Sequence, residues 1–284
     1  MNRYEQTGFC NIDNHIYLAR CDLYHYEEPC ISGTHGSGTI FFSGCNLKCI
    51  YCQNYEIANN QIGKKVSINR LKEILLELQE KGAHNINLVT PTMYIPMIKK
   101  ALIMAKKDGL HIPIVYNSSG YENVSSLKEL DGLIDIYMPD FKYINNDVAI
   151  KYSKCPNYVE NVKLALKEMY RQTGKNKFDK NQIMTKGVLV RHLILPNQLE
   201  STKKILSYLY ETYKDNIYIS IMNQYTPLKQ VKKIKELNRK ITTKEYEEII
   251  DFAIKIGIKN AYVQDKETAN ESFIPKFDYT GVDK

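Results

Sequence analysis

The feature that most restricts how this chain can fold is an alternation that begins near residue 60. Short β-rich runs there take turns with amphipathic helical stretches. In 69–81 (NRLKEILLELQEK), Leu71, Ile74, Leu75 and Leu78 fall at i, i+3, i+4 and i+7, and Gly82 follows as a stop. The same reading gives helices over 95–107, 124–130, 157–172, 200–213 and 243–255. It gives strands over 85–89, 113–116, 133–138, 187–195, 217–222 and 261–263, with 39–42 as the opening strand. About six strand–helix repeats imply a parallel sheet, because parallel neighbours need a crossover helix between them. The expected fold is α/β, either an open doubly wound sheet or an incomplete barrel, and both place function at the carboxyl ends of the strands. The polar, Lys-rich stretch 174–186 reads as a surface loop, and no linker divides the 284 residues.

Seven cysteines, an odd number, occur in a chain whose first ten residues carry no apolar signal core. A disulfide framework is therefore not expected, and the expected location is the cytoplasm. No stretch of eighteen apolar residues is present, so no membrane partner is expected. The net charge of +7 is spread along the chain, and the basic run 229–240 reads as a solvated face rather than a nucleic-acid stripe. The thiols cluster in TIFFSGCNLKCIYCQN (39–54), where Cys45, Cys49 and Cys52 form C-x3-C-x2-C directly after the opening strand. Thiolates are soft ligands that suit zinc or an iron–sulfur cluster. Three readings stay open on the residues alone: buried apolar cysteines, a zinc site completed by Cys30, and a four-iron cluster with one iron left without a protein ligand.

The array C-x3-C-x-aromatic-C, with Tyr51 ahead of Cys52, resembles the signature of the radical S-adenosylmethionine enzymes. EEPCISGTHGSGTIFFSGCNLKCIYCQNYEIA, LVTPTMYIP, YMPDFKY, LVRHLILPN and MNQYTPL, in that order, resemble the radical proteins related to pyruvate formate-lyase-activating enzymes, from about Gly8 to Tyr225. The resemblance implies a partial (β/α)6 barrel over 39–284, with an amino-terminal extension, 1–38, packed on it. It implies a [4Fe–4S] cluster on Cys45, Cys49 and Cys52, with S-adenosyl-L-methionine chelating the fourth iron. One electron, from a donor such as flavodoxin or ferredoxin, would cleave the sulfonium to a 5′-deoxyadenosyl radical that takes hydrogen from a substrate. A glycyl radical protein is one such substrate, and an anaerobic setting follows from an exposed cluster.

The resemblance also assigns positions. Val89-Thr90-Pro91-Thr92 stands where activating enzymes carry Gly-Gly-Glu; Thr90 and Thr92 would accept hydrogen bonds from the cofactor's ammonium. Tyr116-Asn117-Ser118-Ser119-Gly120 resembles Asp-Thr-Asn-Gly, with Asn117 in place of the charged residue and Ser118 beside it. Asp140 and Lys142 match Asp-x-Lys: Lys142 would meet the cofactor's carboxylate or ribose, and Asp140 would orient its neighbours or a cation. Arg191 matches an Arg near the cofactor, whose carboxylate would supply the partner a buried charge needs. His192 should face away and pack. Tyr225 falls where an adenosyl-facing His stands, and could stack on adenine.

The resemblance implies a Cys-rich stretch upstream, and the chain is expected to begin inside or just after it. Cys10, Cys21 and Cys30 are then a remnant or simple packing, and Cys155 is structural. Three functions follow in order: a glycyl radical activase, a radical enzyme acting on a small molecule or peptide, and a non-catalytic thiolate metal protein.

Overall fold

Every amphipathic stretch named above lays its apolar face on one sheet. The computed structural model describes residues 6–59, 62–264 and 274–283, and so only part of each of the segments 1–38 and 39–284. The first strand, β1 (Ile16–Tyr24), runs antiparallel to β2 (Ser37–Phe42) and, on its other edge, to β3 (Lys64–Val66). From β2 the sheet continues in parallel through β4 (Ile86–Val89), β5 (Ile114–Ser118) and β6 (Ile136–Pro139). The hairpin strand β7 (Lys177–Phe178) leads into β8 (Met184–Leu193), which lies parallel to β6. Then come β9 (Tyr218–Met222) and β10 (Ala261–Val263), also parallel. The order is β10-β9-β8-β6-β5-β4-β2-β1-β3; the sheet is not closed, as in a partial barrel.

The helices that follow β3 cover its outer face. The short α1 (Pro29–Ser32) and α2 (Tyr55–Ala58) are followed by α3 (Ile68–Glu80), α4 (Ile95–Lys107) and α5 (Val124–Lys128). The chain continues through α6 (Asn146–Ser153), α7 (Tyr158–Thr173), α8 (Leu199–Tyr213) and α9 (Thr243–Ile256). In α3 the residues buried are Leu71, Ile74, Leu75 and Leu78, each contributing roughly 1.5–3 kcal/mol of apolar burial. Its Ser67 cap accepts the Arg70 N–H, satisfying one of the free amides of the first turn.

Three expectations are corrected. The sequence reading had no strand before 39, yet β1 spans nine residues. A register shift between Leu18 and Arg20 breaks its two-residue alternation, which hid it. The loop expected over 174–186 contains β7 and the start of β8, joined as a hairpin. The helix α6 lies in a stretch to which the sequence reading assigned no element.

Inside the sheet, α1 closes the amino-terminal mouth. Cys30 and Ile31 pack against Val115, Ile136, Met138 and Leu189, the inward residues of three strands. Asn85, just ahead of β4, donates to Ile31 O at 2.7 Å and accepts from Ser37 at 2.6 Å, pinning α1 to the strand starts. Along β8, Val188, Val190 and His192 turn outward to the helices while Leu189 and Arg191 turn inward, as a period of two requires.

Candidate active site

The cysteine segment leaves β2 through Gly44, whose φ is +82°. A Cβ there would lie 2.3 Å from Ile12 and 3.0 Å from the Cys10 carbonyl, so only glycine fits. Its N–H reaches Ile57 O at 2.7 Å. Beyond it the loop is held on three sides. Asn46 donates to Tyr121 O at 2.6 Å, beyond β5. The Lys48 and Ile50 amides donate to Ser153 O and Tyr152 O, at 3.0 and 2.9 Å, at the end of α6. Gln53 donates to Gln224 O at 3.3 Å, beyond β9. Cys45, Cys49 and Cys52 thereby line one cavity of about 400 Å³ at the carboxyl ends of the strands.

Thr90, Asn117, Ser118, Asp140, Lys142, Arg191, Tyr51 and Tyr225 line the same cavity. Thr90 has a φ of +59°, unusual for a β-branched residue, and its N–H donates to Asn117 O at 2.9 Å across β4 and β5. Gly120 (φ +73°) lets the turn after β5 approach β6, where a Cβ would sit 2.3 Å from Asp140 O. Lys142 Nζ donates to Asp140 Oδ2 at 2.6 Å. Burial disfavours the ammonium, but Asp140 outweighs it and holds Lys142 well above the ordinary lysine range. Tyr51 and Tyr225 meet edge to face with ring centres 6.1 Å apart, and Tyr225 OH donates to Leu237 O at 2.7 Å.

Two sequence-based assignments change. Thr92 does not line the cavity: its hydroxyl donates to Glu122 at 2.7 Å. Arg191 has its partners within the chain, since Nε donates to Glu28 at 2.8 Å and the outer nitrogen pairs with both Glu27 and Glu28. Burial works against these charges, yet Arg191 is raised well above, and Glu28 held below, their ordinary values by mutual attraction. His192 packs as expected, its ring bonded to Phe141 O at 2.6 Å and Thr202 at 2.9 Å; burial lowers it to about 4. Cys155 is also buried, donating to Ala149 O at 3.3 Å.

Sequence reasoning missed several residues. Glu122 lies behind the β4 and β5 ends, bonded to Thr92, Ser118 and Tyr116, and burial raises it to about 7. Glu27 and Glu28 stood in a quoted segment with no role attached. Ser153 and Tyr143 gave no signal, because Cys49 and Tyr51, which they reach, lie 104 and 92 residues away from them.

The residues fit an iron–sulfur cluster with a charged ligand beside it. Burial, then repulsion from the neighbouring thiolates, raises Cys45 to about 12 and lifts Cys52, and burial lifts Cys49, so a cationic centre is needed to deprotonate all three. Among the described residues no three Cys, His, Asp or Glu groups are close enough to enclose a single ion. Cys30 lies in the apolar cluster at the opposite mouth, which overturns the zinc reading. A polynuclear cluster takes each thiolate on a separate iron and does not need them to converge. Thr226 Oγ1, on the cavity wall, is buried with no partner, as a polar ligand would require.

The chain is 31% identical over 273 residues to an uncharacterised protein of Methanocaldococcus jannaschii, covering 92% of this chain and 74% of that one. It is 26% identical over 117 residues to the pyruvate formate-lyase-activating enzyme of Clostridium pasteurianum, covering 38% of this chain and 46% of the enzyme. In fold it is similar to Streptococcus suis SuiB bound to S-adenosylmethionine, with a TM-score of 0.54, 13% identity, and coverage of 79% and 49%. It thus spans about half the length of the latter two proteins. The family profile described as the Radical SAM superfamily matches residues 39–209, from β2 and its thiol loop into α8. An open parallel sheet whose first barrel strand delivers three thiols to a shared cavity is what that match requires, and the chain belongs to the radical SAM superfamily.

Proposed function

We propose that Cys45, Cys49 and Cys52 hold the [4Fe–4S] cluster, and that S-adenosylmethionine binds beside it. The observation that carries this reading is the meeting of those thiols with the Asp140–Lys142 pair and the β4 and β5 ends in one cavity. When bound, the cluster and S-adenosylmethionine would supply one-electron cleavage of the sulfonium and, through it, hydrogen abstraction from a substrate. Lys142, kept protonated by Asp140, attracts the cofactor's carboxylate. Thr90, Asn117 and Ser118 present hydroxyl, amide and carbonyl groups to its ammonium. The Tyr51–Tyr225 pair gives the adenine an apolar wall. Flavodoxin or ferredoxin supplies the electron.

The substrate proposed is a glycyl radical protein, from which hydrogen is taken at a glycine Cα. The similarity to an activating enzyme supports this choice. A compact molecule or peptide is the second reading, favoured by the floor that α1 and the Arg191–Glu27–Glu28 cluster build under the cavity. Anaerobic reconstitution with iron and sulfide, then dithionite and S-adenosylmethionine, should yield 5′-deoxyadenosine. None from a cluster-loaded, cofactor-binding protein would reject the radical reading. A glycine-centred electron paramagnetic resonance doublet on a partner protein would favour the activase over the second reading.

A further inference from the structure

We propose that Tyr51, Tyr143 and Ser153 form a directed chain of hydroxyls that ends on the sulfur of Cys49 and raises the reduction potential of the cluster held there. The inference rests on the reading of Cys49 as a cluster ligand. Tyr51 OH lies 2.5 Å from Tyr143 OH, and Tyr143 OH lies 2.5 Å from Ser153 Oγ. Ser153 Oγ lies 2.9 Å from Cys49 Sγ. All three hydroxyl-bearing residues are buried.

A metal-bound thiolate has no proton and can only accept. Ser153 must therefore donate to it. A hydroxyl has one proton, so Ser153 must accept from Tyr143, and Tyr143 in turn from Tyr51. The direction of the whole chain is set by its last member. Each link polarises the next in a medium of low dielectric, and the result is concentrated on one sulfur.

The contact is built into the fold. Ser153 is the last residue of α6, and Lys154 leaves the helix in the left-handed region with φ +52°. The two amides that flank Cys49, those of Lys48 and Ile50, donate to the last carbonyls of α6. That double clamp brings Cys49 to the helix end and places the Ser153 side chain at its sulfur. Tyr143 is held by an edge contact with Tyr158, ring centres 5.4 Å apart.

Reduction adds negative charge to a cluster and its thiolates. A hydrogen bond to a ligand sulfur stabilises that charge, so the potential rises and a donor reduces the cluster more readily. Removing the bond should move the potential the other way.

The test is a redox titration of the reconstituted full chain without S-adenosylmethionine, read from the electron paramagnetic resonance signal of the reduced cluster. Ser153→Ala should lower the reduction equilibrium roughly tenfold, a one-electron shift of about 59 mV to more negative potential. Tyr143→Phe keeps the ring and removes one oxygen, and should shift the potential less, in the same direction. Unmoved potentials in both cluster-loaded variants overturn the proposal. If Ser153→Ala does not fold, Tyr143→Phe decides alone by the same criterion. A wild-type chain that takes up no cluster rejects the ligand reading and this proposal together; a loaded wild type with unshifted variants rejects only the proposal.

Discussion

Arg191 on β8 and Glu28 ahead of α1, 163 residues apart, meet inside the sheet with Nε donating to the carboxylate at 2.8 Å. Glu27 joins them, so one cation holds two carboxylates and ties the helix that plugs the mouth to the sheet.

Arg191→Leu should therefore cost about 3–5 kcal/mol at pH 7, because it strands two buried carboxylates. Urea unfolding measures it. In the wild type Glu28 is held below its ordinary value, so its contribution is present above about pH 4.5 and lost as pH falls through the lower folded value. Variant and wild type should converge in acid. Equal stability at pH 7 would remove the tie from the account.

Two buried groups should oppose one another in mild acid. His192 titrates near 4 when folded and 6.5 otherwise, so the unfolded chain binds the extra proton and stability falls as pH drops from about 6.5 to 4. Glu122 titrates near 7 when folded and 4.5 otherwise, so the folded chain binds the extra proton and stability falls as pH rises from about 4.5 to 7. Each effect is on the order of 3 kcal/mol across its window. Glu122→Gln should expose a loss toward acid, and His192→Asn a loss toward neutrality, in denaturation series at several pH values. A flat Glu122→Gln profile from pH 6.5 to 4 would contradict the His192 assignment.

Lys142→Met should weaken S-adenosylmethionine binding at least tenfold, about 1.4 kcal/mol, with iron content unchanged. Asp140→Asn should do so less, since the ammonium remains but loses its orienting carboxylate. Calorimetric titration of the cluster-loaded protein reads both. An unaltered Kd for Lys142→Met would place the carboxylate elsewhere.

Thr90→Gly should affect stability and binding in opposite directions. A β-branched residue at φ +59° is strained by about 1–2 kcal/mol, part of which glycine relieves. Thermal unfolding should shift upward by about 1 kcal/mol, while S-adenosylmethionine affinity falls with the lost hydroxyl. A drop in melting temperature would show that Thr90 is not under strain.

What the sequence determined by itself is what neighbours within a few residues encode. Leu71, Ile74, Leu75 and Leu78 mark α3 because a helix brings i, i+3 and i+4 to one face. Cys45, Cys49 and Cys52 announce a thiolate site because three soft donors within eight residues can share one inorganic centre. The placement of Asp140 and Lys142 at a strand end followed from the same alternation. Local irregularity concealed β1, whose register shift breaks its period, and left α6 unread. Only the tertiary structure decided who meets whom: Arg191 finds Glu28 rather than waiting for a ligand, Thr92 turns to Glu122, and Ser153 reaches Cys49. Those meetings depend on strand order and on how the crossovers return, and a side chain's distant partner leaves no periodicity in its own stretch of chain.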